Sequence, residues 1–123
     1  MPGGAESVLV VDDEPSIRLL CKVNLELEGY RVLEAETLAA ARAALGSEPV
    51  SVVLLDVHVG RDDGRELLAE LRAERPEVRV ALFSGTTEPF AIDALGADAV
   101  IPKPFLLEEL TGTVGRLAAS TRV

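Results

Sequence analysis

Positive charge is scarce in this chain. Twelve Lys and Arg residues stand against 21 Asp and Glu, a formal net charge of −9, and no basic block interrupts the acidic background. That balance argues against binding to a nucleic-acid backbone or an anionic membrane surface. Cysteine is nearly absent: Cys21 is alone, so no internal disulfide exists and nothing suggests a secreted framework. Its helical apolar position marks it as a packing residue. No apolar run approaches the length of a membrane span, and Met1 to Ser7 has neither the basic start nor the apolar core of a signal peptide. No glycine-rich phosphate loop follows the first apolar run. There is no internal repeat, low-complexity segment or linker. A cytoplasmic domain is the expectation, one domain at this length. Lysine is rare too. Only Lys22 and Lys103 break the preference for Arg, and a retained lysine at a functional position offers a compact ammonium where a planar fork would not serve.

What is present is a regular alternation of apolar runs and helical patterns. Val52-Val53-Leu54-Leu55 runs straight into Asp56. Such a run reads as a strand buried on both faces, the mark of a parallel sheet covered by helices. Val8 to Val11 is a first run, ending at Asp12-Asp13-Glu14, with Pro15 suited to the first turn of a helix. Arg31–Ala35 is a second strand, Val50–Asp56 the third, Val78–Phe83 the fourth and Ala99–Pro102 the fifth. Helices are expected from Pro15 towards Gly29, from Thr37 as cap to Leu45, over Gly64–Arg75, over about Pro89–Leu95 and over about Leu107–Ala119. The prediction is a doubly wound α/β fold: five parallel strands and five helices spanning residues 7–120, between a flexible tail at 1–6 and a short tail at 121–123.

Chemistry collects at the strand ends. The first strand ends in Asp12 and Asp13, the third in Asp56, the fourth in Ser84 and the fifth in Lys103. In a parallel sheet these ends share one edge, the edge where open α/β sheets bind ligands. With strands about 4.8 Å apart, adjacent first and third strands bring three carboxylates together. Like charges near 4 Å cost about 4 kcal/mol per pair at an effective dielectric of 20, so protons or a cation must join them. An oxygen-rich site with few ligands suits Mg²⁺, with Mn²⁺ as the alternative. Ser84 and Lys103 add a hydroxyl and an ammonium, and metal, hydroxyl and ammonium together suit a phosphoryl group. Asp56, central among them, is the natural nucleophile, giving an aspartyl phosphate.

The chain resembles the receiver domain of two-component response regulators from about Val8 to Ala119. The resemblance rests on Val11-Asp12-Asp13-Glu14-Pro15, Leu54-Leu55-Asp56 with Asp63-Gly64 behind it, Ser84-Gly85, Gly96-Ala97-Asp98 and Lys103-Pro104-Phe105. It implies a flavodoxin-like strand order 2-1-3-4-5. It implies Asp56 as phosphoacceptor, Asp13 and Asp56 as side-chain ligands to Mg²⁺, Asp12 as a ligand through water and His58 through its backbone carbonyl; the His58 ring itself is expected to face solvent. Ser84 would bond a phosphoryl oxygen, Lys103 would pair with the phosphoryl group, and the Lys103–Pro104 bond would be cis. The implied donor is a sensor histidine kinase or histidine phosphotransfer protein, since the chain's single histidine supplies no relay of its own. The implied role is a signalling module that switches binding to a downstream protein, not an enzyme.

The chain also departs from the pattern. Val100 stands where many receivers carry Tyr or Phe, Gly60 replaces a proline and is expected to loosen its loop, and the stretch from Ser84 to Lys103 is a few residues short. The fourth helix and the output face beside it are therefore expected to differ. Asp62-Asp63 reads as a solvated loop. Without an output domain in the sequence, the signal passes through partner binding, or the chain is a relay or phosphate sink; an end at Val123 also fits a domain cut from a longer protein. Two other functions compete. A phosphorylation-independent interaction scaffold is favoured by Val100, Gly60 and the short fourth helix. An aspartate-nucleophile phosphatase would want an acid two residues beyond Asp56, where His58 stands.

Overall fold

The computed structural model describes residues 6–85 and 96–120. The helix expected at 89–95, the tail at 121–123 and all but the last residue of the tail at 1–6 lie outside them. The described elements are β1 (Ser7–Val11), α1 (Pro15–Leu27), β2 (Arg31–Ala35), α2 (Leu38–Ser47), β3 (Val52–Asp56), β4 (His58–Val59), β5 (Asp62–Asp63), α3 (Arg65–Glu74), β6 (Arg79–Ser84), β7 (Ala99–Pro102) and α4 (Leu107–Ser120). The main sheet is parallel, in the order β2-β1-β3-β6-β7. This is the expected 2-1-3-4-5 order, with four helices among the described residues.

Local signals account for most boundaries. Pro15 opens α1 at its first position, where a missing N–H costs nothing. Thr37 caps α2, its Oγ1 accepting from the Ala40 N–H at 3.0 Å. The helix runs two residues beyond the expected Leu45, through Gly46 to Ser47.

β1 and β3 are buried along their apolar lengths, so each has a side chain in both cores. Alternate residues face opposite sides of a sheet. Leu9, Val11, Val53, Leu55, Val80 and Leu82 meet α2 and α3. Val8, Val10, Val52, Leu54, Ala81 and Phe83 meet α1 and α4. Full burial of a Leu or Val side chain contributes roughly 1.5–3 kcal/mol, and both layers hold many.

The turn after β3 corrects one expectation. Asp62-Asp63 is not a loop: it forms β5, pairing antiparallel with β4 through His58↔Asp63 and Val59↔Asp62. Gly60 belongs to this hairpin. It takes a φ of 63° at the start of the tight turn between them, a conformation that glycine adopts without steric cost. Asp63 then anchors the start of α3, its Oδ1 accepting from the Arg65 N–H at 2.9 Å and its Oδ2 meeting Arg65 Nη2 at 2.6 Å.

Candidate functional site

Register sets the height of each group on the sheet's carboxyl edge. Val11 pairs with Leu55, so Asp12 and Asp56 follow at one level. Asp56 pairs with Phe83, and Ser84 with Pro102. The Lys103 N–H extends this ladder by donating to the Ser84 carbonyl at 2.8 Å. The Lys103–Pro104 bond is cis. Carboxylate oxygens of Asp12, Asp13 and Asp56 lie within 4.8 Å of one another. The Lys103 ammonium closes the group: Nζ lies 2.9 Å from Asp12 Oδ2, 2.8 Å from Asp56 Oδ2 and 3.6 Å from Glu14 Oε1.

The burial of the three acids is graded. Asp12 is fully buried, Asp56 partly buried and Asp13 exposed. Asp12 Oδ1 accepts from the Glu14 N–H at 2.9 Å, so its side chain shapes the turn into α1 while Oδ2 meets Lys103. Asp56 Oδ1 accepts from the His58 N–H at 3.1 Å, and the His58 side chain is exposed, as expected. Burial raises the Asp12 carboxyl above the usual carboxylate range, against the opposing pull of Lys103 and the Glu14 N–H. Burial also works against the Lys103 ammonium, but hydrogen bonds and charge from Asp12 and Asp56 outweigh it and hold that pKa above its ordinary value. One ammonium thus faces Asp12, Glu14 and Asp56, while Asp13 adds a further carboxylate to the cluster. This excess of negative oxygen, graded from buried Asp12 to exposed Asp13, is consistent with a site for a hard divalent cation.

Ser84 is buried on the same edge, but its hydroxyl donates to the Gly85 carbonyl at 2.9 Å rather than to a carboxylate. Strand alternation explains this: Ser84 follows Phe83, and it is Phe83 that shares a side of the sheet with Leu54 and Val10. Sequence reasoning missed Phe83. Its ring centroid lies 5.3 Å from Lys103 Nζ and stacks on Phe105 at 5.4 Å and 16°. Counting alternate positions outward along the fourth strand would have found it. Arg18 was missed as well: its Nη1 donates to the Asp12 carbonyl at 2.7 Å and its Nε meets Glu34 at 3.3 Å. Only tertiary contact reveals that role. Gly64 supports the site from behind. Its N–H donates to the Val57 carbonyl at 2.6 Å, and a Cβ there would collide with the Asp56 carbonyl.

Residues 8–115 match the family model described as "Response regulator receiver domain". The chain is 36% identical over 117 residues to the transcriptional regulatory protein KdpE of Mycobacterium tuberculosis, covering 94% of this chain and 50% of that protein. It is 40% identical over 126 residues to the transcriptional regulatory protein AruR of Pseudomonas aeruginosa, again 94% of this chain and 50% of that protein. The chain thus spans about half the length of the curated relatives it matches. Among solved structures, the receiver domain of NtrX from Brucella abortus superposes with a TM-score of 0.85 at 34% identity, covering 92% of this chain and 98% of that one. With the sheet order and the acidic edge already in place, these matches settle the family: the chain belongs to the response regulator receiver domains of two-component signalling.

Proposed function

We propose that residues 7–120 form a receiver that takes a phosphoryl group on Asp56 from the phosphohistidine of a sensor kinase or histidine phosphotransfer protein, and so switches binding to a downstream protein. The observation that carries this reading is the bridge from Lys103 Nζ to both Asp12 and Asp56 at the mouth of the three-carboxylate cluster. In the transfer, an Asp56 carboxylate oxygen bonds to phosphorus while the donor's P–N bond breaks and its imidazole leaves. Water later cleaves the acyl phosphate, restoring the carboxylate and releasing inorganic phosphate.

The donor set fits Mg²⁺, with Mn²⁺ as the alternative: Asp13 and Asp56 by side chain, Asp12 through water, His58 by its backbone carbonyl. When bound, the ion offsets carboxylate repulsion and draws the phosphoryl oxygens into place. Lys103 remains beside Asp56 and pairs with the incoming phosphoryl charge. Ser84 exchanges its bond to the Gly85 carbonyl for one to a phosphoryl oxygen. Moving a two-state equilibrium from 1:99 to 99:1 takes about 5.5 kcal/mol of differential stabilisation, and charge-assisted bonds from Lys103 and Ser84 to a dianionic group are of a kind to supply much of it.

The role is signalling rather than turnover of an external substrate. No described helix is long and apolar enough to cross a membrane, and a cytoplasmic setting suits a kinase-fed module. The acidic surface gives this stretch no direct contact with DNA. The resting bond of Ser84 to Gly85 and the ringless Val100, 40% exposed, favour one rival, an interaction scaffold independent of phosphorylation. Incubation with acetyl phosphate and Mg²⁺, read by intact mass, separates the two. The receiver gains one phosphoryl group and Asp56→Asn gains none. A wild type that never gains mass, and binds no beryllofluoride, supports the scaffold instead.

A further inference from the structure

We propose that Phe83 is a positioning residue for Lys103, and that the Phe83–Phe105 stack carries the displacement of that ammonium to α4. The inference rests on the phosphoacceptor reading of Asp56. The Lys103 ammonium sits 5.3 Å from the Phe83 ring centroid, inside the roughly 6 Å reach of a cation–π contact. The ring is fully buried in β6, so it cannot follow the charge freely. Phe105 stacks on it at 5.4 Å, two residues beyond Lys103 and two before α4 begins. Phe105 also packs against the cluster that holds Leu110 and Val114 of α4.

One end of the stack therefore senses a charge, and the other stands at the root of a helix. At rest the ammonium is held by Asp12 and Asp56. A phosphoryl group on Asp56 adds negative charge further out, and the ammonium moves with it relative to the ring. Position 100, on the next strand, has no ring to take part, and Val100 is exposed. Among the described residues the ring that meets the Lys103 ammonium is Phe83, and Phe105 reaches it by stacking on that ring.

The test is nuclear magnetic resonance on the whole chain, first without metal. The Lys103 ε-methylene protons of the wild type are displaced upfield by the Phe83 ring and return towards the unstructured value in Phe83→Leu. Titration with beryllofluoride and Mg²⁺ then reads the second claim. Phe83→Leu binds about two- to thirty-fold more weakly, the range that a lost cation–π contact allows. At saturating beryllofluoride, the amides of Leu107 to Thr113 shift in the wild type and in Phe105→Tyr, but much less in Phe105→Leu. A folded Phe83→Leu with an unchanged Lys103 signal and unchanged affinity overturns the positioning role. If Phe83→Leu does not fold, the half-buried Phe105→Leu decides the matter: α4 amides that move as in the wild type overturn the relay. A wild type that shows the metal-free ring shift but binds no beryllofluoride supports the contact while sinking the phosphoacceptor reading.

Discussion

The two sides of the sheet are built from different materials. The side facing α2 and α3 is aliphatic: Leu9, Val11, Leu38, Leu55, Leu67, Leu68, Leu71 and Leu82 pack there with valines and alanines. The side facing α1 and α4 holds Tyr30, Phe83 and Phe105 with Cys21, and continues upward into Asp12, Asp56 and Lys103. Both sides are well buried, so hydrophobic gain does not separate them. What differs is adjacency to charge. An aliphatic layer has no directional interaction with an ammonium, so it holds the edge still whatever sits there. An aromatic layer presents a π-face whose interaction changes as a cation moves. One side acts as foundation, and the other is placed to respond.

Substitutions can break or sharpen this contrast. Lys103→Met has the largest expected effect on stability, because it leaves buried Asp12 without its cation; a loss of about 4 kcal/mol is expected near neutral pH, read by urea denaturation. The loss should shrink as pH falls. The Asp12 carboxyl is already raised by burial, and once protonated in both folded and unfolded chains it has no charge to strand. On the aliphatic side, Leu68→Ala should cost about 3 kcal/mol yet leave the metal-free Lys103 signal where it was. Loss of that signal in Leu68→Ala would erase the distinction between the two sides. Gly64→Ala forces a Cβ against the Asp56 carbonyl, and about 2 kcal/mol of strain is expected, together with weaker Mg²⁺ binding because Asp56 must shift. Thr37→Ala, which removes the α2 cap, should cost about 1 kcal/mol and leave Mg²⁺ affinity at the wild-type value. Cys21 tests the quiet part of the responsive side. Burial pushes its thiol up to about 12, so a thiol reagent at mildly alkaline pH should label it only after denaturation.

Much of this was written in the sequence. The runs ending in Asp56 and in Asp12 announced strands, because strands buried on both faces tolerate little but branched aliphatics. β2 and β7 fell where they were expected. The β4–β5 hairpin was not legible, since two-residue strands carry no periodicity and Asp62-Asp63 looks like any solvated pair. The acidic site was legible as a list of strand ends, but not in orientation. Ser84 was placed on the sheet's carboxyl edge, but its bond to the Gly85 carbonyl was not foreseen, nor that the pleat sets Phe83 on the side of Leu54 and Val10. The reach of Lys103 was open to estimate because strand spacing is fixed, whereas the Arg18 contact with the Asp12 carbonyl depends on how α1 lies against the sheet, which no local pattern records.

The central claim is that the cluster around Lys103 exists to make Asp56 a phosphoacceptor. The most direct measurement is to phosphorylate the chain with acetyl phosphate and Mg²⁺, trap the acyl phosphate by borohydride reduction, and locate the modified residue by peptide mass spectrometry. The account predicts conversion of Asp56 alone. Modification at Asp12, Asp13 or another residue, with Asp56 unchanged, would contradict it.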